Sequence, residues 1–217
     1  MALRLHRGGR FRTWLGARLG GDFALGDRIW RRILHGLGAG ALVYYVLPAD
    51  FFVIAPKVDI LLAALAAVLL LELLRHVAGL EIPTIRPYEA ERIGSFAIFG
   101  IAIVLVIVLA PLPIACAVVL GTAFVDPLAG ELRRLPDPRG LDVTLSFAAY
   151  AALAFVGLAV IGRWPVVASA GLALVASAVA VAVERPKVWW LDDDLLMTLV
   201  PAAVLYLLAV PVLRLPA

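Results

Sequence analysis

The sequence predicts an all-α membrane protein, a polytopic bundle of about seven transmembrane helices with a cytoplasmic N-terminus. Of its 217 residues, 64% are hydrophobic and 16% are charged, and the mean hydropathy is +1.02, far from the balance of a soluble domain. Apolar stretches of membrane-spanning length recur along the chain, and basic residues collect between alternate stretches. The single Cys116 excludes an intrachain disulfide.

Residues 1–32 are predicted to be a basic N-terminal arm, followed by an integral membrane domain at 33–217. The arm holds 8 of the 19 Lys and Arg residues, which favours an anionic lipid surface as its partner over nucleic acid. Four apolar residues recur in it at helical spacing: Phe11, Trp14, Leu15 and Leu19. This pattern predicts an amphipathic helix lying in the membrane interface, and a disordered basic leader is the alternative.

Seven apolar stretches are predicted to span the membrane: 36–55, 59–79, 95–111, 112–129, 143–162, 165–184 and 195–214. Pro111 separates the third stretch from the fourth, and Pro165 separates the fifth from the sixth. Because proline breaks a continuing helix, each of these pairs is predicted to be a tight helical hairpin.

The distribution of basic residues predicts the orientation. Sixteen Lys and Arg residues lie in the arm and alternate loops, against three on the opposite face, Lys57, Arg163 and Arg214. Cytoplasmic loops accumulate Lys and Arg, so the N-terminus and the charge-rich loops are predicted to face the cytoplasm.

Five polar clusters are predicted to share this cytoplasmic face. The first is Arg31, Arg32 and His35, where guanidinium groups could bind phosphate beside an imidazole; an ordinary basic flank of a span is the alternative. In the second, Glu72 lies about two turns inside a span with Arg75 at i+3, as a functional acid or a structural salt bridge.

The third cluster is the loop at 86–92, where Arg86 and Arg92 flank Glu89. Such a loop could frame a polyphosphate and its metal ion, or be an ordinary solvated loop.

The fourth cluster is Asp126 with Glu131. A charge at the centre of a span costs about 2.5–3.5 kcal/mol, so Asp126 either lies at the membrane edge before a proline turn or is kept for chemistry.

That chemistry has two forms. Carboxylate oxygens at a helix end suit Mg²⁺, and Asp126 could instead accept the proton of an alcohol during phosphoryl transfer.

The fifth cluster, Asp192, Asp193 and Asp194, opens the last span. Capping and the helix dipole account for one of these acids, but three adjacent acids repel one another unless a cation intervenes, which favours a metal site.

In this order the clusters resemble the CTP-dependent polyprenol kinase family, which includes dolichol kinases, phytol kinases and CTP-using diacylglycerol kinases. The family's Arg-Lys-x-x-His motif is similar to the stretch from Arg31 to His35, and its Glu-x-x-Arg motif to Glu72 and Arg75. Its Arg-Pro-x-Glu loop resembles the stretch from Arg86 to Glu89.

Two further motifs extend the resemblance. The family's Gly-Asp-x-x-Ala resembles Asp126 and Ala129, with Val125 in place of the glycine. Its Asp-Asp-Asn-Leu-Thr-Ile-Pro-Leu resembles 192–199, with Asp194 in place of the asparagine. The family's Lys-Ser-x-Glu-Gly-Ser stretch is not visible at 138–147, and Arg139 or Lys187 is expected to replace its lysine.

The resemblance implies a membrane kinase that uses CTP and Mg²⁺ to phosphorylate the hydroxyl of an isoprenoid or other long-chain lipid alcohol. Asp126 is the expected catalytic residue, Asp192, Asp193 and Glu131 the expected metal ligands, and Glu72 and Glu89 supporting acids. The expected nucleotide and phosphate ligands are Arg31, Arg32, His35, Arg75, Arg86, Arg92, Arg139 and Lys187. The alternatives are a cytidylyltransferase acting on a lipid phosphate and a non-catalytic protein that binds lipid phosphates.

Overall fold

The structure is a computed structural model that describes residues 23–48, 56–80, 92–134, 140–185 and 192–213. Side chains at 23–31 and 210–213 lie outside this description. Every regular element in these ranges is helical, which confirms the all-α prediction. The predicted interfacial helix of the arm and the loop around Arg86 fall outside the described residues.

Within these ranges, seven helices correspond to the seven predicted stretches. They are α1 (Phe23–Gly40, continued by a 3₁₀ turn at Ala41–Tyr45), α2 (Lys57–Ala78), α3 (Ser95–Leu109), α4 (Leu112–Leu132), α5 (Leu141–Phe155, continued by a π-helical segment at Val156–Ile161), α6 (Val166–Glu184) and α7 (Asp193–Leu213). Within the described residues, α4, α5 with its extension, and α6 are long and apolar enough to cross a membrane, and α3 is apolar but shorter.

Three helix boundaries differ from the prediction. The 3₁₀ turn that follows α1 ends at Tyr45, whereas the first span is predicted to end at residue 55. α1 begins at Phe23, well before residue 36, and runs through the predicted arm boundary at residue 32. α4 continues through Pro127 to Leu132, so no proline turn follows Asp126. A proline inside a helix costs about 3 kcal/mol. Burial of neighbouring Val125 and Ala129 offsets that cost, which a purely local sequence pattern does not reveal.

Both predicted turns are present, but only α5 and α6 pack closely as a hairpin, because α3 and α4 make few contacts with each other. Pro111 directly precedes α4 and Pro165 directly precedes α6, at the end of a helix where a proline's missing N–H removes no helical hydrogen bond. Before α6 the chain turns at Arg163, which has a φ of 56°. The Trp164 N–H donates to the Leu158 carbonyl (3.1 Å), which closes this turn.

α4 is the central helix of the bundle and packs against α1, α5 and α7. Its buried face consists largely of small residues, which lets neighbouring backbones approach closely. A Cβ built on Gly121 would lie 2.5 Å from the Tyr150 ring, and one on Gly157 would lie 2.5 Å from the Ala117 backbone nitrogen. The α4–α5 pair therefore depends on glycine at both positions.

Replacing Gly157 with alanine should destabilise the bundle. The added methyl group meets backbone rather than a flexible side chain, so α4 and α5 must separate, at a cost of about 1–3 kcal/mol. Gly171→Ala is the matched control, because a Cβ there meets nothing within 4 Å and alanine favours a helix. The apparent melting temperature in detergent should fall for the first variant only; equal melting temperatures would contradict the close approach.

The buried charged side chains of the described part gather at one end of the bundle. They are His35, Glu72, Arg75, Asp126, Glu184 and Asp194. At the opposite end, the Tyr45 hydroxyl lies 3.0 Å from both the Ile107 and Ala110 carbonyls, and Lys57 Nζ lies 4.7 Å from the Tyr44 ring centroid. The position of the buried charged side chains at one end agrees with the predicted gathering of polar clusters on one face.

Candidate metal and phosphate site

A histidine and two acids from three helices meet at the polar end. His35 Nε2 on α1 lies 3.3 Å from Asp126 Oδ2 on α4 and 3.5 Å from Asp194 Oδ1 on α7. The exposed fractions of the three residues are 5%, 6% and 0%. The His35 ring also stacks on Phe99 of α3, with centroids 4.9 Å apart. Residues 159 positions apart in the chain thus form one buried ion-pair network.

Threonine hydroxyl groups lie one helical turn from Asp126 and Asp194, towards the middle of the bundle, and set the register of α4 against α7. The Thr198 and Thr122 hydroxyl oxygens lie 3.3 Å apart, and Thr122 donates to the Met197 carbonyl (3.0 Å). Asp126 follows Thr122 by four residues and Asp194 precedes Thr198 by four, so each acid shares a helix face with its threonine. The threonine contact therefore brings the two carboxylates to the same level.

His35 joins the two acids. Its ring nitrogen Nε2 lies within 3.5 Å of a carboxylate oxygen of each, and carboxylate oxygens accept hydrogen bonds from a ring N–H. Burial excludes water from these contacts, which strengthens them. His35 therefore orients both Asp126 and Asp194.

A second group shares Asp126 and consists only of carboxylates. Ligand oxygens of Asp126, Glu184 and Asp193 lie within 4.8 Å of one another. In octahedral Mg²⁺ coordination, opposite oxygens are about 4.2 Å apart, because each lies about 2.1 Å from the ion. Oxygens within 4.8 Å of one another are close to that upper limit, and the three carboxylates offer oxygen donors alone, which suits Mg²⁺ better than the group around His35, where a ring nitrogen is one of the three donors.

The three consecutive acids at the start of α7 have different surroundings. The Asp194 backbone N–H donates to Asp192 Oδ1 (3.0 Å), so Asp192 caps the helix. Capping was the alternative to a metal role that the sequence analysis gave for one of these acids. Asp193 belongs to the carboxylate group with Asp126, and Asp194 contacts His35. The three acids also form a candidate metal group by themselves.

Glu131 and Arg32, both predicted site residues, contact each other. Arg32 lies 3.0 Å from Glu131 Oε1, and Arg134 lies 3.4 Å from the same oxygen. Glu131 belongs to none of the candidate metal groups among the described residues. The Arg32 side chain is 55% exposed, so it remains accessible to a phosphate.

The predicted pair of Glu72 and Arg75 forms a separate buried network. Arg75 donates to both Glu72 oxygens (2.9 and 2.7 Å) and to the Arg92 carbonyl, and Glu72 accepts from the Gly94 N–H (2.8 Å). His76 Nε2 lies 3.1 Å from Glu72. These bonds tie the end of α2 to the start of α3, which favours the structural salt bridge over a phosphate-binding role for Arg75.

Glu72→Ala should loosen α2 from α3. It leaves the Arg75 charge buried without its carboxylate, which costs about 3–5 kcal/mol for a buried pair. Asp59→Ala is the control, because Asp59 is an exposed acid in the first turn of the same helix. Thermal unfolding in detergent should show the loss. The double variant Glu72→Leu/Arg75→Met should recover most of it, and a double variant as unstable as the single one would contradict this assignment.

Other predicted residues are placed less fully. Arg92 is exposed in the segment that precedes α3, and Arg31 lies on α1 with its side chain outside the description. Four predicted site residues fall outside the described residues: Arg86, Glu89, Arg139 and Lys187.

Glu184 is a candidate site residue that the sequence analysis missed. It is 6% exposed at the end of α6 and pairs with Arg133. The signal was an acid at the end of an apolar run, the same signal that identified Asp126 and Glu72. Its position beside Arg185 made it resemble an ordinary polar flank.

Comparisons with protein-family models, curated proteins and solved structures found no match to this chain.

Proposed function

We propose that the protein is a Mg²⁺-dependent lipid-alcohol kinase that transfers a phosphoryl group from a nucleoside triphosphate to an isoprenoid or related long-chain hydroxyl. The observation that carries the proposal is the meeting of Asp126, Glu184 and Asp193 at the polar end of a helical bundle. The ordered motifs that resemble polyprenol kinases support CTP as the donor. Mg²⁺ held by Glu184 and Asp193 would neutralise charge on the triphosphate beside Asp126, which remains available for the proton.

The proposed placement in the membrane follows from charge. We propose that all seven helices span the bilayer and that the polar end faces the cytoplasm, because sixteen of the nineteen basic residues lie on that side of the predicted topology. The lipid tail then remains among the helices while its hydroxyl reaches the polar end. The arm at 1–32 would bind anionic lipids at the same surface.

The proposed reaction needs one proton acceptor and several fixed charges. Asp126 accepts the proton of the lipid hydroxyl as its oxygen forms a bond to the γ-phosphorus, and the bond from that phosphorus to the bridging oxygen breaks. The nucleoside diphosphate leaves with the bridging oxygen. His35 orients Asp126, while Arg133, which contacts Glu184, and Arg32, which contacts Glu131, would stabilise phosphate charge.

The test is a product assay with purified protein in nanodiscs. CTP, ATP or GTP labelled at the γ-phosphate is supplied with Mg²⁺ and a panel of polyprenols, phytol and diacylglycerol. We expect a labelled lipid phosphate and release of the nucleoside diphosphate. A CDP-lipid and pyrophosphate from an added lipid phosphate would instead identify a cytidylyltransferase. If no nucleotide is consumed or bound, the non-catalytic alternative replaces the kinase.

A further inference from the structure

A cleft of about 370 Å³ lies at the polar end, lined by residues of α4, α5 and α6 and of the turns that follow α4 and α6. Its volume is in the range of small-molecule sites. Glu184 lines this cleft and also belongs to the carboxylate group with Asp126 and Asp193. A molecule bound in the cleft would therefore touch the proposed metal site directly.

Ser146 provides a second, independent sign of a ligand. It lines the cleft from the second turn of α5 and is 3% exposed. Its hydroxyl has no hydrogen-bond partner among the described residues. A buried hydroxyl normally has a partner, because desolvation without one is unfavourable. A bound polar group would satisfy it, since a serine hydroxyl can both donate and accept.

The remaining lining residues indicate the class of ligand. Val143 and Val181 supply apolar surface of the kind that packs against a flat ring, and Asp142 supplies acceptors for sugar hydroxyls. Arg133 and Arg185 supply guanidinium groups for phosphate. A lipid tail would gain little here, because four charged side chains line the cleft. A nucleoside with attached phosphates matches each of these groups.

We propose that this cleft holds the nucleoside of the phosphoryl donor, with the edge of the base at Ser146 and the phosphates extending past Glu184 toward Asp126. The inference rests on the proposed function for the identity of the ligand as a nucleoside triphosphate. It adds the place where the nucleoside binds. Arg133, which pairs with Glu184 in the structure, is then in position to exchange that carboxylate for a phosphate oxygen.

The experiment fills the cleft and measures binding. Val143→Trp places a large ring in the cleft, and Val160→Trp is the matched control on the π-helical extension of α5, 64% exposed. Equilibrium binding of CTP, ATP, GTP and inorganic tripolyphosphate is measured with Mg²⁺ and full-length protein in nanodiscs. We expect Val143→Trp to weaken the best nucleotide about tenfold or more and tripolyphosphate less than about twofold. Val160→Trp should change neither affinity.

Ser146→Ala tests the inference if Val143→Trp does not fold. It should weaken the best nucleotide about three- to tenfold, the effect of one lost hydrogen bond, and leave tripolyphosphate unchanged. Equal losses for nucleotide and tripolyphosphate, or no loss in either variant, overturn the inference and leave the kinase proposal standing. If nucleotide binding depends on the cleft but no alcohol is phosphorylated, the inference is supported and the kinase proposal fails. If the unmodified protein binds no nucleotide, both fail.

Discussion

Asp126→Asn is expected to lower the rate of lipid phosphorylation by about 10²–10⁴-fold, the usual contribution of a general base. Asparagine has nearly the same shape but cannot accept the proton of the hydroxyl, and it removes one charge from both acid groups. His35 then still faces Asp194, which lies 3.5 Å from its Nε2, so the helices remain tied together. The loss should appear in kcat, with a melting temperature close to that of the unmodified protein.

The matched control is Asp59→Asn, which changes an exposed acid in the first turn of α2. It should leave the rate unchanged. Lipid phosphate formed at the unmodified rate by Asp126→Asn would remove Asp126 from the reaction. A parallel fall in melting temperature would show that Asp126 acts mainly through its contact with His35.

Glu184→Gln is expected to weaken the binding of a divalent cation by about tenfold or more. Loss of a residue that only supports a metal ligand typically costs about 10–100-fold in metal affinity, so loss of a direct ligand should cost at least as much. Arg133, its partner, is about one-third exposed and can remain solvated in the variant. Mn²⁺ can replace Mg²⁺ in this measurement, because the electron paramagnetic resonance signal of free Mn²⁺ reports binding directly.

Glu131→Gln is the informative control for Glu184→Gln. The sequence predicts Glu131 as a metal ligand, whereas the structure places it between Arg32 and Arg134. Its substitution should change Mn²⁺ affinity by less than about threefold, because it removes a partly exposed surface pair. If Glu131→Gln is the more damaging change, the prediction from sequence was right and the carboxylate group containing Glu184 is not the metal site.

The three acids around the start of α7 show how much the local sequence pattern can predict. Their proximity to a helix N-terminus could be predicted, and so could the capping role of one of them. Asp192 caps the helix, and because successive residues of a helix point about 100° apart, Asp193 and Asp194 face different neighbouring helices. Which neighbour each acid meets depends on how α7 is rotated against α4 and α6.

The glycines at the end of α1 show the same limit. Gly36, Gly38 and Gly40 form a pattern typical of close helix packing, but only Gly38 lies against another helix, where a Cβ would come within 2.6 Å of the Phe99 ring. A Cβ on either of the other two would meet nothing within 4 Å. Spacing alone identifies three candidates, and the direction of the partner helix selects one.

The sequence by itself determined the helical class, the seven helices and the gathering of buried charge at one end. These properties follow from the length of each apolar run and from the cost of placing a charge inside it, both of which are local. Only the tertiary structure decided that Asp126 meets Glu184 and Asp193, that His35 lies between two acids, and that Glu72 belongs to a separate pair. Such contacts join residues far apart in the chain, and they depend on the rotation and register of whole helices, which the contacts at Gly157 and Thr122 help to set.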